Sequence, residues 1–359
     1  MSVRKSASLM AVGLLAFLAY LYFFVGFNEI TEILRRVNPL EYFLYYSLTI
    51  AAIVLSVLFY AVAWHELLKV LSIRISLRKS FLYSWLGNFV DLVVPLETMS
   101  GEVTRAYLVY NDVKDHFGKT VASLVCHRIV SIITTLSMLI LSSLYLIINY
   151  PVEPKVLYLL VAVTAGTAVT IIALFYLSVR ESAAQRLVNF LVRLVARVTG
   201  RRLSFASLRE RAERTLSAFH QGFKTFRENP RNLVKPLIYS YVSWFLHLSI
   251  YFLVFYALGF REVTGYVSQM VVVFSISLAV QTIPIGFPVG LVEIVMTSLY
   301  VLFGISPAIS GVATSLIRAV TFWFQILVGY AIFQWIGLKQ LAYRNATQEE
   351  KGTCSGASQ

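Results

Sequence analysis

Gln281-Thr-Ile-Pro284-Ile-Gly-Phe-Pro288-Val-Gly290-Leu-Val-Glu293 is apolar enough to lie in a membrane, yet two prolines and two glycines fall within seven of its residues. Proline removes a backbone donor and crowds the preceding turn, so no continuous helix passes through. An earlier stretch repeats the pattern: Trp85-Leu-Gly-Asn-Phe-Val-Asp91-Leu-Val-Val-Pro95-Leu-Glu97-Thr-Met-Ser-Gly101-Glu102. Each break ends at a carboxylate, Glu102 or Glu293. Each is followed by an apolar helix carrying one arginine, Arg128 or Arg318. The separations are 26 and 25 residues. Broken apolar segments at corresponding positions of two halves point to a transporter-like site. A charge inside a bilayer costs at least about 2.5 kcal/mol, so such groups face partners or a polar cavity.

Around these breaks the chain is apolar throughout. Of its 359 residues, 58% are hydrophobic and only 14% charged, against roughly 25% charged in a soluble domain. Several stretches reach the roughly 20 apolar residues that a bilayer requires. The fold class is therefore all-α, a polytopic helical membrane protein. Full spans are expected near 7–27, 40–64, 120–149, 156–178, 236–258 and 309–337. Broken segments fill 81–118 and 265–304, each a re-entrant hairpin or a pair of spans. An integral membrane domain over 1–338 and a polar tail over 339–359 follow. Two half-depth elements entering from opposite faces would make an inverted repeat.

Lys and Arg set the orientation. With the N-terminus inside, 25 of the 31 fall on inner segments and four on outer loops, and the last two are Arg128 and Arg318. Both termini are thus expected to be cytoplasmic, in the cell membrane. The net charge of +13 is mostly this topology signal. No nucleic-acid motif accompanies it, so no nucleic-acid partner is expected. The loop 179–236 carries thirteen basic and four acidic residues. Its first part reads as an interfacial helix, with Arg186, Arg193 and Arg197 on one face and leucine and valine on another. A cytoplasmic helical hairpin obeying the charge rule explains it equally.

The candidate substrate-binding or gating residues are Asp91, Pro95, Gly101, Glu102, Arg105, His127, Arg128, Pro284, Pro288, Gly290, Glu293 and Arg318. The prolines and glycines break helices and free backbone groups that must find partners. Glu102 and Arg105 share a helix face; the pair either caps a half-helix or lines a polar cavity. Glu293 has no base nearby in sequence, which makes Arg318 its natural partner, and Arg128 stands in the same relation to Glu102. A guanidinium gives planar, bidentate recognition of phosphate. The alternative is a pair of structural intramembrane ion pairs. No cofactor, metal or catalytic residue is expected. The five histidines lack metal-ligand spacing, Cys126 and Cys354 form no framework, and no P-loop, dinucleotide turn, nucleophile elbow or HExxH occurs.

The chain resembles the lysylphosphatidylglycerol synthase/flippase membrane-region family. The residues that carry the resemblance are Asn88 with Pro95 through Gly101-Glu102-x-x-Arg105, Cys126-His127-Arg128, Pro284-Ile-Gly-Phe-Pro-Val-Gly-Leu-Val-Glu293, and Leu316-Ile-Arg318 before Gly329. The resemblance covers almost the whole chain and implies lipid translocation between leaflets. It looks like the membrane part alone, without the soluble aminoacyl-transferase domain of bifunctional members. The expected partner is a membrane lipid with an anionic or phosphate-bearing headgroup; a homo-oligomer and a separate lipid-modifying enzyme stay open. Two other functions compete with a flippase: an intramembrane lipid-directed transferase with Glu102 or Asp91 as base, and a structural or accessory membrane protein.

Overall fold

A computed structural model describes residues 37–93, 99–114, 116–150, 154–186, 205–281 and 289–336, with a few isolated positions besides. The expected span 7–27, the break residues Pro95, Pro284 and Pro288, the basic positions Arg193 and Arg197 and the tail 339–359 lie outside the described residues.

Among the described residues, ten helices carry the fold. α1 (Pro39–Val70) opens where Asn38 accepts a hydrogen bond from the Leu40 amide at 3.0 Å and Pro39 takes the first helical position. Both choices suit a helix start: the side chain satisfies an orphan donor, and proline lacks one. Then come α2 (Leu77–Val93), α3 (Met99–Asp112), α4 (Phe117–Asn149), α5 (Pro154–Val179), α6 (Phe205–Glu228) and α7 (Val234–Ala257). α8 (Val267–Gln281) and α9 (Leu291–Leu302) precede α10 (Pro307–Ile336), which contains a π-helical turn at Ala319–Phe324. The described residues contain no strand.

Among the described residues, six helical stretches are long and apolar enough to cross a membrane: α1, α4, α5, α7, α10 and Arg261–Gln281. The last refines the sequence expectation for 265–304. Only its second part is short, the 12-residue α9, while its first part, α8 with a 3₁₀ lead-in, reaches spanning length. The first broken segment differs. α2 has 17 residues and α3 has 14, about 25 and 21 Å at 1.5 Å per residue. Both fall short of a hydrocarbon core of about 30 Å. They pack against each other as a hairpin. Lys79, near its start, meets Asp112, at its end, at 3.0 Å, and Tyr83 donates to the same carboxylate at 2.6 Å.

The element order repeats. α1–α2–α3–α4 and α7–α8–α9–α10 are each a helix, a second helix, a break, a short helix and a long helix. α1 and α7 pack along their length and run antiparallel: Tyr45 stacks on Tyr256, and Phe59 meets Tyr239. Between these contacts Ser56 Oγ donates to the Ser243 carbonyl at 3.0 Å, while Ser243 Oγ donates to the Ser56 carbonyl at 2.9 Å. A contact in which each residue does to the other what the other does to it marks a two-fold axis, as in an isologous interface. Because the two helices are antiparallel, that axis runs across them, in the plane of a membrane they span. The repeated element order and this contact have the form of an inverted repeat, and small hydroxyl side chains make the crossing of α1 and α7.

Two cores form. One gathers Trp64, Leu67, Leu86, Val109 and Leu124 from α1 to α4; the other gathers Val254, Val272, Met296, Tyr300 and Ile317 from α7 to α10, and also takes in Ala52 and Ile53 of α1 and Leu139 of α4. Apolar side chains on α5 and the end of α4, such as Val169, Ile172, Leu141 and Ile148, are exposed, as expected of lipid-facing surface. The expected basic loop contains α6, which packs on α4 and buries Phe223 and Phe226.

Candidate functional site

The second half is the simpler. Gly290 precedes α9 with φ 91°, a positive-φ conformation that costs residues with a side chain about 1–3 kcal/mol. That turn lets Glu293, three residues on, reach back to accept the Gly290 amide at Oε2, 2.7 Å away. Its other oxygen, Oε1, accepts from Arg318 Nε at 2.7 Å. Both side chains are buried, at 3% and 4% exposure of the residue. The Arg318 guanidinium also lies 4.6 Å from the centroid of the Phe322 ring, a cation–π distance. Arg318 immediately precedes the π-helical turn, a distortion common at functional sites. Tyr251 of α7 stands within electrostatic reach of Arg318. Arg318 Nη2 and the Tyr300 hydroxyl are buried without a hydrogen-bond partner among the described residues.

The first half is organised differently. Asp91, at the end of α2, accepts from the Gly101 amide at 2.7 Å and from Ser100 Oγ at 2.9 Å, both at the start of α3. This joins the two sides of the break and places a negative charge at a helix N-terminus, where the dipole favours it. Gly101 allows the approach, since a Cβ there would run into the Asp91 carboxylate and the Gly87 carbonyl. The capping that the sequence offered to Glu102 therefore belongs to Asp91. The Glu102–Arg105 ion pair does not form either: no ion pair to Glu102 within 4.0 Å occurs among the described residues. Glu102 is half-buried and lies within electrostatic reach of Arg105, Arg128 and Asp91.

Arg105 is 3% exposed. Its Nη2 donates to the Tyr60 hydroxyl at 3.4 Å, and its Cζ lies 5.5 Å from the Tyr60 ring centroid and 5.4 Å from that of Trp64. Nε and Nη1 have no partner among the described residues. His127 is buried beside Tyr60, ring centroids 4.2 Å apart, and its Nε2 is likewise without a partner. Arg128, one residue on, is half-buried.

Arg128 and Arg318 are each the twelfth residue of their helix, about 16 Å from its start. The two arginines therefore hold the same position in the last helix of each half. The structure thus brings Asp91, Gly101, Glu102, Arg105, His127 and Arg128 to one station and Gly290, Glu293 and Arg318 to another. Sequence reasoning passed over Tyr60, Trp64 and Tyr251. Tyr60 and Trp64 stand one turn apart on α1, but in a chain with 21 tyrosines and 25 phenylalanines that spacing does not stand out. No group of metal-ligating side chains occurs among the described residues.

Fold and stations define a multi-pass, all-α membrane protein with the form of an inverted repeat, with one glutamate–arginine station in each half. The chain belongs to the family described as the lysylphosphatidylglycerol synthase TM region, whose model matches residues 10–329. It is similar to a UPF0104 membrane protein of Methanothermobacter thermautotrophicus, with 22% identity over 337 residues, 93% of this chain and 96% of that one. A UPF0104 membrane protein of Pyrococcus horikoshii is 24% identical over 280 residues, 77% of this chain and 82% of its own. No solved structure matches.

Proposed function

We propose that the protein translocates a lipid or lipid-linked amphiphile between leaflets, as a flippase or transporter. Its phosphate-bearing headgroup would pass the charged stations. The observation that carries this reading is the pairing of a helix break with a buried guanidinium in both halves of the repeat. Inverted repeats place substrate sites near the midplane, at discontinuous helices, and alternate access by moving one element against another. In this reading the protein lies in the cell membrane with both termini cytoplasmic. The hairpin α2–α3 opens from the cytoplasmic side, and the break between α8 and α9 opens from the other.

The test is reconstitution of the full chain into vesicles containing a fluorescent phospholipid, followed by chemical quenching from outside. Wild type should expose inner-leaflet lipid faster than protein-free vesicles, and Arg128→Ala should slow it several-fold. A stably inserted Arg128→Ala that moves lipid at the wild-type rate overturns the role of that arginine. Orientation is checked by labelling single cysteines with a membrane-impermeant reagent: Arg74→Cys should be protected in intact cells and Arg261→Cys labelled.

The transferase reading keeps one specific support. Glu102 is relieved of capping by Asp91, so its carboxylate is uncommitted, as a general base requires. Product formation from purified protein, lipid and an activated donor would establish it.

A further inference from the structure

The reciprocal serine contact fixes the register of the two halves. Ser56 and Ser243 are 187 residues apart. Carried along the same two helices, that offset makes Tyr251 the counterpart of Trp64. Trp64 lies against the guanidinium of Arg105, and Tyr251 lies within electrostatic reach of that of Arg318. Each half therefore has a buried cation within electrostatic reach of the same position of its first helix. The cation comes from different elements: α3 in the first half, α10 in the second.

The two cations are not equally satisfied. Arg318 holds the Glu293 carboxylate at 2.7 Å. Arg105 holds a single neutral hydroxyl at 3.4 Å, and two of its three guanidinium nitrogens are buried without a partner among the described residues. Glu102, the nearest candidate counter-charge, forms no ion pair with it within 4.0 Å. Buried charges are ordinarily paired, and an arginine fork suits an oxyanion. Room for the side chain is specified by Gly87, where a Cβ would come within 3.0–3.1 Å of Arg105 Cγ, Cδ and Nε. His127 adds a second buried, unpartnered nitrogen nearby. Beside it, Tyr60, Glu102 and Arg128 are only half-buried.

We infer that the Arg105 station is an oxyanion-binding site that takes a phosphate group, which does for Arg105 what Glu293 does for Arg318. The inference deepens the translocation reading and rests on it only for the source of the phosphate. Arg105, with His127 beside it, holds the anion, and Arg128 attracts it. Arg318 is already paired and holds its half together.

The test uses the detergent-solubilised full chain with three probes: inorganic phosphate, dihexanoyl phosphatidic acid and the uncharged dihexanoylglycerol. Binding is read by calorimetry and by the shift in unfolding temperature. Phosphatidic acid should bind and stabilise the wild type, and dihexanoylglycerol should do neither. Arg105→Lys keeps the charge but loses the fork, and should weaken binding at least tenfold. Arg105→Met should abolish binding and raise the ligand-free unfolding temperature, because an unpaired buried charge is gone. Arg261→Gln, in an exposed pair with Glu41, is the control and should bind as wild type does. A preference of tenfold or more for phosphatidic acid over inorganic phosphate assigns a lipid headgroup; equal affinity assigns a soluble anion. Failure of both phosphates to bind wild type, or wild-type affinity in Arg105→Lys, overturns the site. Wild type that binds phosphatidic acid through Arg105 but moves no fluorescent lipid overturns translocation and keeps the site. Lipid movement unaltered by Arg105→Lys, with unaltered binding, does the reverse.

Discussion

Arg318 and Arg105 are alike in burial and opposite in circumstance, and the difference predicts opposite responses to truncation. Removing one partner of a buried ion pair leaves an uncompensated charge, at a cost of about 3–5 kcal/mol. Glu293→Gln should therefore destabilise strongly, read as a fall in the unfolding temperature in detergent. The double change Glu293→Gln/Arg318→Met should recover much of the loss, since removing both charges is often close to neutral. If the single and double variants unfold together, the pair contributes no such term. Gly290→Ala acts on the same station through the backbone. Its φ of 91° should cost the alanine about 1–3 kcal/mol and weaken the turn that aims Glu293. The partnership of Glu293 with Arg318 was legible in the sequence, because no base lay closer and a lone carboxylate in an apolar helix needs one. The isolation of Arg105 was not: Glu102, one turn away on the same face, looked like its partner.

At the scale of elements, the hairpin α2–α3 depends on one junction. Asp91 closes it through two hydrogen bonds, and Gly101 lets the two helices meet. Asp91→Ala removes a helix cap and should cost about 0.5–2 kcal/mol, with faster amide exchange over residues 99–105. Gly101→Val should do more, because its side chain overlaps both Asp91 and the Gly87 backbone; protection should fall along the whole of α3. Exchange unchanged in both variants would show that the junction does not hold the hairpin. Hydropathy and the proline–glycine clusters revealed that a break stood here. They did not reveal the capping residue, because Asp91 precedes Gly101 by ten residues and meets it only when the chain folds back. The length of α8 was left open, re-entrant or spanning, for a related reason. Arg261 and Glu262 open the span Arg261–Gln281 with a charged lead-in, and the hydropathy of the segment was read together with the break that follows it.

For the whole molecule, the nearly equal glutamate-to-arginine separations suggested two halves, but the axis relating them was beyond the sequence. It is made by Ser56 and Ser243, two common residues with no local signature, and only their reciprocal contact shows that α1 and α7 are symmetry mates. That axis has a mechanical consequence if one half rocks against the other. Displacement between α1 and α7 is least where they cross and grows toward their ends. The crossing is at Ser56 and Ser243, whose hydroxyls lie 3.3 Å apart; Tyr45 and Tyr256, 5.5 Å apart between ring centroids, lie well away from it. A disulfide made by oxidising Ser56→Cys/Ser243→Cys should therefore leave most lipid movement intact. A short thiol linker joining Tyr45→Cys to Tyr256→Cys should reduce it several-fold, with recovery when the linker is cleaved. Both variants are measured before and after cross-linking in the same vesicles, so loss of expression or insertion cancels. Equal inhibition at the two positions would mean that α1 and α7 separate or slide rather than pivot. No inhibition at either would mean that the two helices form a fixed spine, and that any movement belongs to the broken hairpins alone.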